Sequence, residues 1–136
     1  MSGRSFIDTN VLVYAYSNDD LVKKAQALLT LQSSEAWLST QVLIEFANIY
    51  SRKVKVAWPG VETALNELLN DFAVHPAAGG TIVHATRLAQ RYGFSWFDAL
   101  IVAAALECGC ETLYSEDLQH GQLIEQSLRV VNPFRV

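Results

Sequence analysis

The sequence is short of the residues that interrupt or cross-link a fold. Its 136 residues include only seven Gly, three Pro and two Cys. Hydrophobic residues make up 51% of the chain, which is typical of a folded globular domain and excludes extended disorder. We expect one domain over residues 1–136, burying roughly two-thirds of the surface that the unfolded chain exposes.

Long hydrophobic runs are also absent. The longest, "ALIVAAAL" at 99–106, is less than half of the ~20 residues that span a bilayer. Asp8 and Asn10 lie where a secretion signal needs its apolar stretch, so we expect a cytoplasmic protein with no membrane partner. Cys108 and Cys110 have no further cysteines with which to form a zinc site, and a disulfide between them would be strained, so both are expected to stay reduced.

Positive charge is in short supply. Ten Lys and Arg stand against 14 Asp and Glu, for a net charge of −4. This total argues against a nucleic-acid partner, because phosphate-binding proteins are usually basic. The location of the acids matters more than their sum, however. Without the four candidate site acids described below, acidic and basic residues would balance at 10 each.

Short apolar runs alternate with segments of helical periodicity. The predicted strands are 4–8, 36–39, 73–76, 111–115 and 128–134. The predicted helices are 9–16, 21–32, 40–54, 60–72, 80–93 and 95–109. This alternation is typical of βαβ units, so we predict an α/β fold with a central parallel sheet of four to five short strands, flanked by helices. Ligands of such sheets bind at the carboxyl ends of the strands.

Two acids interrupt apolar segments in the first half of the chain. Asp8 ends the first predicted strand, where it is equally suited to cap the next helix and to serve a site. Glu45 belongs to a polar stripe at helical spacing that also holds Gln41, Asn48 and Arg52. The stripe faces either water or a polar cleft. Neither acid predicts a site by itself.

Two more acids lie at element ends in the second half. Asp98 opens the most apolar helix, where Ser95 and Asp98 fit a variant of the capping box. A helix that is apolar all round should be buried, and burying a carboxylate alone costs several kcal/mol, which favours a cleft at Asp98. Asp117 follows a predicted strand and suits a turn as well as a site. In a parallel sheet Asp8, Asp98 and Asp117 are expected at one edge.

Carboxylates gathered at one edge repel each other and raise each other's pKa. A hard divalent cation neutralises such a cluster, and Mg²⁺ and Mn²⁺ both prefer oxygen ligands. Sites that hold two such ions act in displacement reactions at phosphorus. The acids therefore favour a Mg²⁺ site, with Mn²⁺ as the alternative, that acts on phosphate esters.

Five segments in this order resemble the PIN-domain ribonucleases: "FIDTNVLVYA", "STQVLIEFANI", "FSWFDALIVAAA", "LYSEDLQHGQ" and "VVNPF". The sequence is most similar to the VapC-type toxins of bacterial toxin–antitoxin pairs, from about residue 4 to 134. The resemblance implies a PIN-like fold and a Mg²⁺-dependent endoribonuclease. It also implies four catalytic and metal-binding acids: Asp8, Glu45, Asp98 and Asp117.

The same resemblance implies polar residues around these acids. Three match flanking positions of the family's pocket: Thr9, Asn10 and Ser39. Ser115 stands in the place of the Thr or Ser that precedes the family's fourth acid by two residues. The role of that acid falls to Asp117 or to its neighbour Glu116.

The basic run "SRKVK" at 51–55 ends the helix that carries Glu45. It has two equal interpretations. Positive charge is favourable at a helix C-terminus. Alternatively, Arg52, Lys53 and Lys55 contact the backbone of an RNA substrate. The histidines are widely spaced and are expected to be structural or exposed: His75, His84 and His120.

Protein partners are expected as well. Four aromatic residues exceed what one small core readily absorbs and are expected at interfaces: Tyr14, Tyr16, Tyr50 and Trp58. We therefore expect a homodimer, and the resemblance implies an antitoxin whose C-terminal tail lies across the cleft. The alternatives are a PIN-fold nuclease of RNA maturation or decay without an antitoxin, and an inactive RNA- or protein-binding module that keeps the acids.

Overall fold

The computed structural model describes residues 3–32 and 35–135, and within these ranges strands alternate with helices. The strands are β1 Arg4–Ile7, β2 Glu35–Ser39, β3 Ala73–His75, β4 Thr112–Tyr114, β5 Leu123–Ile124 and β6 Leu128–Val131. The helices are α1 Thr9–Tyr16, α2 Leu21–Gln32, α3 Thr40–Arg52, α4 Trp58–Asp71, α5 Gly79–Tyr92 and α6 Trp96–Glu107. None of these helices has the length and hydrophobicity that a bilayer span requires.

The strands form one sheet in the order β3-β2-β1-β4-β6-β5. β1 lies near the centre and pairs in parallel with β2 and with β4. The predicted α/β fold with a central, mostly parallel sheet is therefore confirmed. β5 adds an antiparallel edge beside β6. It escapes sequence analysis because a strand of two residues carries no measurable periodicity.

Local chemistry sets most of the helix ends. The hydroxyl of Ser39 accepts a hydrogen bond from the amide of Val42 (3.2 Å) and caps α3. Gly93 ends α5 in the left-handed conformation (φ 73°), as the sequence predicts. α4 begins at Trp58, two residues before the predicted start, because Pro59 is well suited to the first turn of a helix.

The core lies between the sheet and its helices, and α6 contributes most to it. Its residues from Ala99 to Ala105 are all buried, as expected for a helix that is apolar all round. Phe6, Ile7 and Leu113 of the central strands are fully buried beside the helices. The two cysteines are buried free thiols. The buried core thus supports the ends of β1 and β4, where the candidate site lies.

The sequence predicted four aromatic residues at the surface, and for the three tyrosines this prediction is wrong. Tyr16 packs edge-on against Phe46 (5.3 Å between ring centroids), and Tyr50 stacks on the same ring at 4.9 Å. Tyr14 packs edge-on against a ring of the C-terminal segment. All three are partly buried against the core because the rings pack against one another, which a count of aromatic residues does not reveal. Trp58 is exposed as expected.

Candidate metal centre

The ends of β1, β4 and the start of α6 bring three acids together. Asp8 follows β1, Asp117 lies three residues after β4, and Asp98 is in the first turn of α6. One carboxylate oxygen from each lies within 4.8 Å of the others. Glu45 lines the same pocket, which has a volume of about 360 Å³. The four acids singled out in the sequence therefore converge on one pocket.

Asp8 is both a helix cap and the buried centre of this pocket, with only 4% of its surface exposed. Its Oδ1 accepts a hydrogen bond from the amide of Thr9 (2.7 Å), which caps α1. Its Oδ2 accepts from the hydroxyl of Ser115 (2.7 Å) and from the side-chain amide of Asn10 (3.3 Å). The two interpretations of Asp8 are therefore compatible, since one carboxylate serves both.

Asn10 and Ser115 join Asp8 to the loop that follows β4. The side-chain amide of Asn10 also donates to Oδ2 of Asp117 (3.0 Å), and its oxygen accepts from the amide of Glu116 (3.2 Å). The hydroxyl of Ser115 accepts from the amide of Asp117 (3.1 Å). These contacts fix the loop so that Asp117 points at Asp8.

Hydroxyl groups contact both Glu45 and Asp98, and the side chain of Gln41 also hydrogen-bonds to Glu45. Thr9 donates its hydroxyl to Oε2 of Glu45 (2.8 Å), which ties the middle of α3 to the start of α1. The amide of Asp98 donates to the hydroxyl of Ser95 (3.4 Å), the N-cap of α6. Both carboxylates are partly exposed, so they remain open to a ligand in the pocket.

Burial makes negative charge costly in this pocket. It raises the pKa of Asp8 from 3.8 to about 7, although the hydrogen bonds from Ser115 and Thr9 act in the opposite direction. The charges of Asp117 and Asp98 raise that pKa further. Burial is also the main cause that raises the pKa of Glu45 and that of Asp98. A divalent cation would offset both desolvation and repulsion, and three converging carboxylate oxygens are donors that Mg²⁺ or Mn²⁺ accepts.

Three of the predicted polar residues do not line the pocket. Ser115 is fully buried and donates its hydroxyl to Asp8, which does line it. Ser39 is fully buried and serves as the cap of α3, so it does not line the pocket. Glu116 turns away from the pocket. It forms an ion pair with Lys23 and accepts a hydrogen bond from the hydroxyl of Tyr14 (2.9 Å). Of the two neighbouring acids, Asp117 is therefore the one that faces Asp8.

The basic residues lie at the far end of α3. Arg52, Lys53 and Lys55 are all exposed and lie outside the lining of the pocket. Arg52 follows Glu45 by about two turns on the same face of α3.

Three pocket residues were not singled out from the sequence as site residues: Asn48, Ile49 and Phe97. Asn48 and Ile49 follow Glu45 by three and four positions, so helical spacing could have identified them. Phe97 directly precedes Asp98. Lys23, which holds Glu116, left no signal at all, because 93 residues separate the two.

The histidines lie outside this pocket. His75 and His84 both contact the carboxylate of Glu107, at 2.9 and 3.3 Å. His120 accepts a hydrogen bond from the backbone amide of Asn132 (3.0 Å). Each therefore joins parts of the fold to one another.

Comparison with known proteins identifies the family and the fold. The family model of the PIN domain matches residues 5–123. No match is found among curated protein sequences. Mycobacterium tuberculosis VapC20, a toxin that cleaves the sarcin–ricin loop, has a similar structure (TM-score 0.71, 19% identity, covering 83% of this chain and 89% of that one).

Two toxin–antitoxin assemblies are also similar in fold. A complex from Klebsiella pneumoniae matches with a TM-score of 0.73 and 20% identity, over 97% of this chain and 99% of that one. The DNA-bound VapBC of Salmonella typhimurium matches with a TM-score of 0.68 and 16% identity, over 96% and 97%. At these identities the likeness is one of fold.

Proposed function

The chain belongs to the PIN-domain family, and from that premise we propose that it is a metal-dependent endoribonuclease, the toxin of a type II toxin–antitoxin pair. The observation that carries the proposal is the convergence of Asp8, Asp98 and Asp117 within 4.8 Å. A cluster with these desolvated charges suits a cation and, through the cation, a phosphate.

Asp8, Asp98 and Asp117 are the residues that would hold the ion, and Mg²⁺ is the one we propose, with Mn²⁺ as the alternative. The bound ion would lower the pKa of a water and stabilise negative charge on the phosphate oxygens. Asn10 and Ser115 keep the acids in place through the hydrogen bonds described above. Thr9 donates a hydrogen bond that orients Glu45, the fourth acid that lines the pocket.

In the proposed reaction the oxygen of a water forms a bond to phosphorus, and one ester P–O bond of the RNA breaks. The water loses a proton and the leaving oxygen gains one. Glu45 is suited to accept the proton, because its partly exposed carboxylate lines the pocket and burial raises its pKa. No side chain needs to act as the nucleophile.

The proposed partners are RNA, an antitoxin and a second copy of the chain, in the cytoplasm. The similarity to toxin–antitoxin complexes supports the antitoxin. Apolar surface supports protein contacts in general: Leu21, Val22 and Leu29 of α2 are mostly exposed beside a groove of about 670 Å³. Trp58 adds a second exposed apolar site.

Incubation of the purified protein with RNA, with and without Mg²⁺, tests the proposal. We expect discrete RNA fragments that need the metal, disappear with a chelator and are not produced by Asp8→Asn. Cleavage by a protein that has no antitoxin encoded beside it would indicate a nuclease of RNA maturation or decay. RNA binding without cleavage would indicate the inactive binding module.

A further inference from the structure

Phe97 stands at the rim of the acidic pocket with its ring open to solvent. It is the second residue of α6, directly before Asp98. Its side chain lines the pocket together with Asp8 and Asp117, yet 58% of the residue is exposed. An exposed phenylalanine by itself is ordinary on a protein surface. Phe97, however, lies beside the acids that we propose hold the catalytic ion.

The fold itself makes little use of this ring. Within residues 3–32 and 35–135, Phe97 forms no ring–ring contact and is not among the apolar side chains that pack on the core. Phe94, three residues earlier, stacks on Tyr92 at 5.3 Å between centroids and packs against the core. Aromatic partners are thus within reach of this segment, and Phe97 lies apart from them.

The surroundings of Phe97 are complementary to the parts of a nucleotide. The acids below it suit a cation and the phosphate that the cation attracts. Ile49 adds an apolar side chain to the pocket wall, and Asn48 offers a side-chain amide. Arg52 continues the same face of α3 and suits the next phosphate along a strand. The ring supplies what these groups lack, a flat surface for a base.

We propose that Phe97 is a base-stacking residue, which seats an unpaired base beside the phosphate to be cleaved. The inference rests on the proposed ribonuclease function and adds a residue that positions its substrate. Since a paired base cannot expose its face to a side chain, the nucleotide at this position must be unstacked from its neighbours. Stacking accepts every base, so Phe97 positions the strand without reading its sequence.

A series of variants at and beside Phe97 tests the inference. Phe97→Leu keeps an apolar side chain but removes the aromatic face, and Phe97→Tyr keeps the face. Trp96→Ala is the matched control, because Trp96 is a partly exposed aromatic residue in the same helical turn that does not line the pocket. The assay measures kcat/KM with Mg²⁺ on a single-stranded RNA whose cleavage site has been mapped.

Phe97→Leu should lower kcat/KM by about 5- to 150-fold, the range expected for one lost base–aromatic stack. Phe97→Tyr should recover most of this loss, and Trp96→Ala should cleave like the parent protein. Equal rates for the Leu and Tyr variants would overturn the inference, as would an equal loss in the Trp96 control. A Phe97→Leu variant that weakens only the binding of an antitoxin would assign the ring to a protein partner instead.

An RNA that lacks one base beside the scissile phosphate gives a second test. The missing base should slow the parent protein but cause no further loss in Phe97→Leu, because both changes remove the same stack. If the parent protein cleaves no RNA, the same two RNAs are compared for binding to it by fluorescence anisotropy. Tighter binding of the intact RNA would then support stacking while the nuclease proposal fails. Equal binding of both RNAs would overturn the stacking inference.

Discussion

The hydroxyl of Ser115 lies 2.7 Å from Oδ2 of Asp8, although 107 residues separate the two along the chain. The register of the sheet brings them together. Ile7 pairs with Tyr114 where β1 and β4 run in parallel, so the next residue of each strand emerges at the same edge. The amide of Asp8 also donates to the carbonyl of Tyr114 (3.0 Å). The geometry of the candidate metal centre is therefore a direct consequence of strand pairing.

This contact leads to a first prediction. Ser115→Ala should weaken Mg²⁺ binding by about 10- to 100-fold, as is usual when a residue that orients a metal ligand is lost. The variant removes the donor to Asp8 and the acceptor for the amide of Asp117, so both acids lose their alignment. Calorimetric titration with Mg²⁺ measures the change. Ser127→Ala, at an exposed serine outside the pocket, is the control, and an equal effect of both variants would contradict the prediction.

A second prediction concerns pH. Because its folded-state pKa is about 7 rather than 3.8, Asp8 keeps a proton in the folded state that the unfolded chain has already released. The shifted pKa therefore stabilises the folded state fully below about pH 4. This stabilisation is lost as pH rises through about 7, and the free energy of unfolding falls by about 4 kcal/mol at most. Added Mg²⁺ should offset the loss, because it binds the deprotonated carboxylate.

Urea unfolding at pH 5.5 and pH 8, with a chelator and then with Mg²⁺, measures this dependence. Asp8→Asn has no proton to lose at this position, so its stability should change less between the two pH values. A parent protein and an Asp8→Asn variant with the same pH dependence would show that the carboxyl group of Asp8 titrates normally.

The two neighbouring acids after β4 give a third prediction. Asp117→Asn should lower RNA cleavage by about 10- to 100-fold or more, because Asp117 faces Asp8 in the pocket. Glu116→Gln should cleave within a few-fold of the parent, because Glu116 is bound to Lys23 and Tyr14 instead. The reverse order of activities would mean that Glu116 leaves Lys23 and takes part in the site.

Much of this arrangement could be predicted from the sequence. Each helix begins or ends within about two residues of its periodic segment. The rule that parallel strands end at one edge brings Asp8, Asp98 and Asp117 together without any knowledge of contacts. For Glu45 the polar stripe on α3 leaves water and a cleft equally open, and the structure places this acid in the pocket. These features depend on local pattern and on topology.

The remainder depends on contacts between distant parts of the chain, which leave no local pattern. The ion pair of Glu116 with Lys23 joins residues 93 positions apart, and it decides which of two adjacent acids faces the pocket. The packing of Tyr16 and Tyr50 around Phe46 likewise depends on how α1 meets α3. The resemblance also placed Ser39 in the pocket. In the structure its hydroxyl caps α3 instead.

A fourth prediction separates the two interpretations of the basic run at the end of α3. If Arg52 contacts an RNA phosphate, Arg52→Ala should weaken RNA binding and lower the slope of log K against log salt by about 0.7. If it only complements the end of the helix, the variant should lose about 0.5 kcal/mol of stability and bind RNA normally. Arg87→Ala, at an exposed residue of α5, is the control for the loss of one positive charge.

The last prediction concerns the proposed antitoxin. An arginine of its tail that reaches the pocket would pair with Asp8 or Asp117 through charge-assisted hydrogen bonds and so compete with the metal for the same oxygens. The affinity of the complex should then fall as Mg²⁺ rises, and it should fall further in Asp8→Asn, which offers the arginine one charge fewer. Titrations at constant ionic strength, set with NaCl, separate this competition from simple screening. Glu62→Gln removes an exposed acid of α4 outside the pocket and should leave the affinity unchanged. An affinity indifferent to both Mg²⁺ and Asp8→Asn would place the antitoxin across the RNA path without contact to the acids.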